Sequence, residues 1–132
     1  EEHPNAIIIT ERSLYTDRYV FAKMLFDSNS IELAEYKIYL TWFDTFAKDF
    51  PIHKIIYVKT DPPTCQYRIV LRSRTGENQI ALAYLNKCNK YHDDMIENNY
   101  QRDQVLVLDG NEDFFKKKTS WLASIKKFML TQ

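Results

Sequence analysis

The chain has 132 residues, a length that suits one domain or part of one. Hydrophobic residues make up 45% of it and aromatic residues 14%, so it can bury a core and general disorder is excluded. Lys and Arg together number 18, as do Asp and Glu. A formal charge of zero argues against binding to the phosphate backbone of DNA or RNA, so we expect no nucleic-acid partner.

Cysteine usage and hydropathy bear on location. Cys65 and Cys88 lie in helix-like stretches, so we expect free thiols in a reducing compartment. No apolar run approaches the roughly 18 residues of a membrane-spanning helix, so we expect no membrane partner. The first residues, EEHPNA, lack the basic start of a signal peptide. We therefore expect an intracellular protein of the cytoplasm, with the nucleus and the mitochondrion as alternatives.

The hydrophobic pattern predicts three strands separated by helices. The expected strands are 6–10, 53–59 and 104–110, and the expected helices are about 16–27, 31–50, 62–74, 80–98 and 114–130. Ser30 is the expected N-cap of the second helix; Asp61 caps the third, with Pro62 and Pro63 in its first turn. This order implies crossover connections, hence an α/β fold with a partial parallel sheet and flanking helices. Three strands make a thin sheet, so the chain is expected to be the second half of a larger α/β domain.

In such sheets ligands bind beyond the carboxyl ends of the strands. Glu11 and Arg12 follow the first expected strand. A carboxylate there can coordinate Mg²⁺ or act as a base, and a guanidinium can bind a phosphate or hydroxyl. A solvated turn or a local ion pair is the alternative. Asp17 and Phe21, spaced i, i+4, would share a helix face and could contact the edge and ring of a base; a surface Asp beside a core Phe is the alternative.

Three arginines follow the second expected strand, namely Arg68, Arg72 and Arg74. Like charges on one helix face favour a bound anion, although the helix dipole also attracts cations to a C-terminus. Followed by TGENQ, they resemble an arginine-bearing lid over phosphates. Beyond the third expected strand, DGNEDF is more typical of a helix cap than of a base-binding loop. The aromatic residues between Tyr36 and Phe46 have helical spacing and are expected in the core.

The glycine count excludes two nucleotide-binding motifs. Gly76 and Gly110 are the only glycines, whereas GxxxxGK[ST] needs two glycines five apart and GxGxxG needs three close together. Any nucleotide chemistry in this chain must therefore take its phosphate-binding loop from elsewhere.

Five ordered segments together resemble the deoxynucleoside kinases of the deoxycytidine, deoxyguanosine and deoxyadenosine kinase type. They are ERSLYTDRYVFAKMLF, EYKIYLTWFDTF, IIYVKTDPPTCQYRIVLRSR, IALAYLNKCNKYHDD and VLVLDGNEDF. The resemblance implies a P-loop kinase-like fold that lacks its N-terminal β-α units. It also implies transfer of a phosphoryl group from ATP, or another nucleoside triphosphate, to the 5′-hydroxyl of a deoxynucleoside. Residues 1–132 would be the C-terminal portion of a single kinase domain, carrying the ERS motif, the lid and the donor-base loop.

The same resemblance assigns roles to residues. Glu11 would help hold Mg²⁺, and Arg12 would contact the reacting 5′-oxygen and the phosphates. Asp17 would pair with the substrate base, and Phe21 would stack on it. Arg68, Arg72 and Arg74 would close on the phosphates, Glu77 would bind the sugar 3′-hydroxyl, and Arg68, Asp113 and Phe114 would lie at the donor nucleotide.

The sequence departs from the family pattern in places. Gly76 stands at a commonly acidic lid position, and Ala81 and Ala83 replace frequent Pro and Glu. The family's P-loop and catalytic base precede the ERS motif, so an N-terminal half of the same enzyme is an expected partner and this chain alone is expected to be inactive. A homodimer through the helix around Trp42 is a further expectation.

Two other functions compete with the kinase. One is a non-catalytic nucleoside-binding or regulatory module derived from the family. The other is a nucleoside monophosphate kinase, whose lid is similarly rich in arginine, although the ERS…DRY spacing and the lid residue Glu77 argue against it. The joint presence of seven site residues favours the deoxynucleoside kinase; they are Glu11, Arg12, Asp17, Arg68, Arg72, Arg74 and Glu77.

Overall fold

The computed structural model describes residues 6–77 and 79–130. The chain divides into two compact units, Glu1–Phe50 and Pro51–Gln132. Within the described part of the chain, no helix is both long and apolar enough to cross a membrane. Residues 1–5, most of the acidic start, and Asn78 of the expected loop lie outside the described residues.

The first unit begins with a helical segment that changes its pitch twice. Helix α1 (Leu14–Thr16) leads into a π-helix (Asp17–Ala22), which continues as α2 (Lys23–Asp27). Ser13 caps the start, because its hydroxyl accepts from the Thr16 backbone N–H at 3.3 Å. The expected helix over 16–27 is confirmed. Its central π turn was not predicted, and the i→i+5 bonds of a π turn make the α-helical spacing argument for residues 17 and 21 inexact.

The turn after α2 shows why Ser30 was wrongly expected to cap the next helix. Asn29 adopts the left-handed region at φ 55°, and the Ser30 N–H donates to the Leu25 carbonyl at 2.8 Å. These are the bonds of a Schellman motif, so Ser30 ends α2. Helix α3 (Leu33–Phe46) is capped by Glu32, whose N–H donates to Glu35 Oε2 at 2.7 Å in a capping box. A 3₁₀ turn, Ala47–Asp49, follows.

The core of the first unit is small and lies between these helices. Its buried residues are Thr16, Val20, Ala22, Phe43 and Ala47. The expectation that the aromatic residues of α3 all lie in the core is therefore wrong in part. Phe43 is buried, whereas Trp42 is 53% exposed and Phe46 is also largely exposed.

The expected strand at 6–10 is wrong for the described structure. Residues 6–10 carry no strand hydrogen bonding, and Ile8 is 84% exposed. A strand exists only through its partner's N–H and C=O groups, and residues 6–50 contain no other strand to supply them. Three consecutive isoleucines thus indicate strand propensity without guaranteeing a strand.

The second unit is a β-α-α-β-α arrangement. Its elements are β1 (Ile55–Lys59), α4 (Pro62–Arg72), α5 (Leu82–Asn99), a 3₁₀ turn (Arg102–Gln104), β2 (Val105–Asp109) and α6 (Phe114–Leu130). The two strands pair in parallel, from Ile55 opposite Val105 to Lys59 opposite Asp109. The parallel sheet and the flanking helices confirm the predicted α/β class.

Local chemistry explains the bounds of α4. Pro62 and Pro63 occupy its first turn, as predicted, where a missing N–H costs little. Asp61 is the N-cap residue, as predicted, although its side chain makes no capping hydrogen bond. The helix ends at Arg72, two residues earlier than expected, because Ser73 adopts the left-handed region at φ 50°.

Gly110 lies where the two strands end and the backbones approach closely. Its N–H donates to the Lys59 carbonyl at 2.7 Å. A Cβ at this position would lie 2.0 Å from Thr60 Oγ1 and 2.9 Å from Val58 Cγ1. Only glycine fits there without displacing β1.

A partly buried carboxylate joins α5 to β1. Lys59 Nζ lies 2.9 Å from each of the two carboxylate oxygens of Asp93. The same carboxylate accepts a hydrogen bond from the Tyr57 hydroxyl at 3.1 Å. Asn89 donates to the same carboxylate at 3.2 Å. Burial, followed by the negative charge of Asp93, raises the pKa of Tyr57 well above its ordinary value of 10.0.

We expect Gly110→Ala to lower the free energy of unfolding by about 1–3 kcal/mol, because the added methyl group overpacks the strand ends. Urea unfolding followed by circular dichroism measures the change. Ser124→Ala, on the exposed side of α6, is the control and should stay within about 0.5 kcal/mol. Equal stability of Gly110→Ala and the unmodified chain would contradict the close approach.

We expect the free energy of unfolding to fall as the pH rises above about 10. Folded Tyr57 holds its proton more tightly than unfolded tyrosine, so its contribution is complete below pH 10 and is lost as the pH rises through the raised pKa. Tyr57→Phe should flatten part of this fall, and Asp93→Asn should do the same. An alkaline slope that neither substitution alters would contradict the network.

Candidate active site

Glu11 and Arg12 form a strained turn at the start of the first unit. Arg12 has φ 64°, in the left-handed region that non-glycine residues rarely adopt. The Thr10 hydroxyl donates to the Arg12 carbonyl at 2.8 Å and supports this turn. The Arg12 guanidinium lies 5.0 Å from the centroid of the Phe21 ring, within cation–π range. The planar guanidinium has five N–H donors in a fork that matches an anionic ligand.

Asp17 is held from α3. The Tyr39 hydroxyl donates to Asp17 Oδ2 at 2.8 Å. Asp17 itself is exposed at the start of the π-helix. The structure therefore places an oriented carboxylate in the same short segment as Glu11, Arg12 and Phe21.

Sequence reasoning missed the residues that fix this segment. Tyr39 was assigned to core packing because of its helical spacing, and that spacing carries no information on the partner of its hydroxyl. Arg18 forms an ion pair with Asp44 of α3 and lies 4.6 Å from the ring centroid of Phe43. The sequence shows that Asp17 and Arg18 are adjacent. Only the structure shows that Asp17 contacts Tyr39 whereas Arg18 contacts Asp44.

Arg68 binds the loop that follows β2. Its Nη1 donates to the Gly110 carbonyl at 2.6 Å, and its Nη2 to the carbonyls of Asn111 and Glu112 at 3.1 and 3.2 Å. Asn111 Oδ1 in turn accepts from the Asp61 N–H at 2.9 Å. The guanidinium thus fixes the loop at the start of α6 against α4.

The other two arginines of the expected lid share one carboxylate. Glu77 Oε2 accepts from Arg72 Nε at 3.1 Å and from Nη2 at 2.5 Å. Arg74 Nη1 lies 4.0 Å from Glu77 Oε1. Glu77 thus supplies an anion to Arg72 and Arg74, whereas Arg68, four residues before Arg72 on α4, contacts main-chain carbonyls instead.

Asp113 and Phe114 lie at the start of α6. Asp113 Oδ1 accepts from the Phe115 N–H at 2.8 Å, which supports the cap interpretation of DGNEDF. The half-exposed Phe114 ring makes an edge contact with Trp121, with 6.0 Å between centroids. Asp113 therefore has a structural function, whatever further contact it makes.

Glu11 is the expected site residue that could help to hold Mg²⁺. Among the described residues, no group of three or more His, Cys, Asp and Glu side chains could hold a metal ion. Mg²⁺ is nevertheless often held by one or two carboxylates together with substrate phosphates and water, so a single exposed Glu11 fits that mode.

Burial raises the pKa of the Cys65 thiol, which keeps it protonated and unreactive.

The expected site residues thus fall into two groups. Of the expected residues in the first unit, the structure brings Arg12 and Phe21 into contact, and it holds Asp17 through Tyr39. The second unit brings together Arg68 with the loop before α6, and Arg72 and Arg74 with Glu77.

The fold is that of a solved nucleoside kinase. The structure of a deoxyadenosine kinase from M. mycoides with bound dCTP matches this chain with a TM-score of 0.75, over 88% of this chain and 62% of that one, at 22% identity. This likeness supports the predicted P-loop kinase-like fold. The class of protein is therefore an α/β protein with the nucleoside kinase fold.

The family is narrower than the fold. The family model for deoxynucleoside kinases matches residues 2–129, so the chain belongs to the deoxynucleoside kinase family, as its motifs predicted. Human deoxycytidine kinase is 36% identical over 95% of this chain and 53% of its own length. The mitochondrial deoxyguanosine kinase of Xenopus laevis is 31% identical over 86% of this chain and 46% of its own length. The chain spans about half the length of the curated relatives it matches.

We expect Arg68→Gln to loosen the loop before α6, because three carbonyls lose a charged donor. The cost should be about 1–2 kcal/mol in stability, with faster amide hydrogen exchange at residues 110–112. Arg74→Gln is the control, since Arg74 has only a 4.0 Å contact with Glu77. Exchange rates at residues 110–112 that respond equally to both substitutions would remove this function from Arg68.

Proposed function

We propose that this chain is the C-terminal portion of a deoxynucleoside kinase domain that transfers a phosphoryl group from ATP, or another nucleoside triphosphate, to the 5′-hydroxyl of a deoxynucleoside. The observation that carries the proposal is the turn at Glu11 and Arg12. It places the Glu11 carboxylate, and a guanidinium that lies over the Phe21 ring, a few residues before the Asp17 carboxylate that Tyr39 holds. Membership of the deoxynucleoside kinase family supports the same conclusion.

The first unit would bind the acceptor nucleoside. Asp17 accepts hydrogen bonds from the base, and Phe21 provides an apolar ring on which it stacks. Arg12 contacts the 5′-oxygen and the transferred phosphate through the edge of its guanidinium, and so neutralises charge that develops in the transition state. The strain at Arg12 supports this role, because backbone outliers concentrate at functional sites.

The lid arginines would exchange partners when nucleotide binds. Arg72 and Arg74 share the Glu77 carboxylate. Phosphate oxygens carry more charge and bind a guanidinium in the same bidentate geometry, so they replace Glu77 on the arginines. Glu77 then becomes free to accept from the sugar 3′-hydroxyl.

The donor nucleotide would lie against the loop before α6. Arg68 positions this loop through three carbonyls. Asp113 and Phe114 follow directly and contact the donor base. When Mg²⁺ is bound, it neutralises phosphate charge; Glu11 is the residue of this chain that would hold it.

The phosphate-binding loop would come from an N-terminal half of the same enzyme. Neither glycine of this chain lies in a P-loop motif. Exposed apolar side chains support a covering partner, since Val58 and Val107 of the sheet are 46% and 54% exposed. The protein would form a homodimer through the exposed face of α3 around Trp42. It would be located inside the cell.

One observation favours a second function, a non-catalytic nucleoside-binding module. All three lid arginines have partners within the chain, so folding alone accounts for their presence. Such a module would bind a deoxynucleoside through Asp17 and Phe21 without transferring phosphate.

An activity assay separates the two functions. We define the joined protein as this chain preceded by a P-loop-bearing N-terminal half. We expect the joined protein to phosphorylate deoxycytidine with ATP and Mg²⁺, and the chain alone to show no turnover because nothing cradles the β-phosphate. Arg12→Ala should lower kcat at least about 100-fold, whereas Lys48→Ala, on the exposed 3₁₀ turn, is the control and should leave it unchanged.

Nucleoside binding without turnover by the joined protein would favour the non-catalytic module. Turnover by the chain alone would contradict the need for a second half. An unchanged kcat in Arg12→Ala would remove Arg12 from the chemistry.

A further inference from the structure

Tyr39 contacts Asp17 from a different helix. Its hydroxyl, on α3, donates to Asp17 Oδ2 at 2.8 Å, across 22 positions of sequence. The Tyr39 ring is held between two neighbours on the same helix, with its centroid 6.4 Å from that of Tyr36 and 6.2 Å from that of Phe43. The hydroxyl is therefore carried by a partly buried ring that lies between two aromatic neighbours.

The protonation of this hydroxyl makes it a dependable donor. Burial first, then the hydrogen bond to Asp17 and its negative charge, raise the pKa of Tyr39 well above its ordinary value. At neutral pH the phenol therefore keeps its proton, and its O–H can only be satisfied by an acceptor such as Asp17.

The contact with Tyr39 uses one of the two oxygens of the Asp17 carboxylate. An ionised carboxylate accepts hydrogen bonds through both oxygens and donates none. Tyr39 occupies Oδ2, which leaves Oδ1 to accept from a ligand. It also restricts the rotation of an exposed side chain that would otherwise populate several rotamers.

We propose that Tyr39 is a positioning residue that orients Asp17 toward the amino group of an incoming nucleobase. The inference rests on the proposed function, because it takes Asp17 as the residue that contacts the base. The amino groups of cytosine and adenine donate hydrogen bonds, whereas thymine presents an oxygen acceptor at the corresponding place. An acceptor fixed in one rotamer favours the first two, and Tyr39 thereby contributes to base selectivity.

Tyr36 supplies a matched control. It is the neighbouring tyrosine on the same helix, and its ring stacks on Phe26 with 4.4 Å between centroids and 9° between planes. Loss of either hydroxyl leaves a phenylalanine ring that packs in the same way. Only at Tyr39 does the lost hydroxyl also remove a contact to Asp17.

The test compares Tyr39→Phe and Tyr36→Phe in the joined protein, with deoxycytidine and deoxythymidine as acceptors. Tyr39→Phe should raise the KM for deoxycytidine about 10-fold, the effect of one hydrogen bond to a charged group, with kcat within about two-fold. The KM for deoxythymidine should change little, so the preference between the two narrows. Tyr36→Phe should leave kcat and KM unchanged for both deoxycytidine and deoxythymidine.

A double-mutant cycle tests whether Tyr39 acts through Asp17. In an Asp17→Ala background, Tyr39→Phe should have no further effect on the KM for deoxycytidine. The same fold-change in both backgrounds would show that Tyr39 is merely structural and would overturn the inference. So would an unchanged KM in Tyr39→Phe alone.

Equilibrium binding separates this inference from the function on which it rests. If the unsubstituted joined protein binds no deoxynucleoside, the proposed function fails and the inference fails with it. If it phosphorylates deoxycytidine and Tyr39→Phe binds this nucleoside equally well, the function stands and only the inference is overturned. Thermal unfolding of each variant confirms that a change in affinity is not a loss of fold.

Discussion

The parallel pairing of β1 with β2 is the constraint on which the second unit depends. It brings the strand ends so close together that a side chain at Gly110 would collide with Thr60 and Val58. The same approach places the Asn111 side chain against the Asp61 N–H at the N-cap of α4 and brings the loop before α6 within reach of Arg68. A single backbone approach thus sets both the start of α4 and the position of the loop before α6.

Charge is the second organising element. The arginines that suggested an anion site have internal partners: main-chain carbonyls for Arg68, and Glu77 for Arg72 and Arg74. Exposed ion pairs of this kind add little stability, so replacing the carboxylate by phosphate oxygens costs little. Arg68 differs from the other two because its three carbonyl contacts serve the loop itself. The three arginines therefore do not act as one equivalent set.

The sequence predicted what depends on local chemistry. The proline pair marked the start of α4, and the apolar periodicity placed α6 at the bounds that the structure has. What it could not predict depends on partners distant in sequence or on backbone geometry. The isoleucines at 6–10 formed no strand, since a strand requires a neighbour, and Ser30 ended one helix instead of starting the next.

In the candidate site, too, local motifs were predictable whereas contacts between residues distant in sequence were not. The residues of the first unit were predicted from motif and resemblance, and the structure shows a contact between two of them, Arg12 and Phe21. Tyr39 was assigned to the core because helical spacing predicts which face a residue occupies but not what its hydroxyl contacts. Asp93 was missed for the same reason, since one of several carboxylates in a polar helix gives no sign that Lys59 and Tyr57 of β1 bind it.

The central claim is that the lid arginines exchange an internal carboxylate for the phosphates of a bound nucleotide. A crystal structure of the joined protein with deoxycytidine and a non-hydrolysable ATP analogue tests it most directly. The account predicts that Arg72 leaves Glu77 for phosphate oxygens and that Glu77 contacts the sugar 3′-hydroxyl. An Arg72–Glu77 contact still at 2.5 Å with both ligands bound would contradict it.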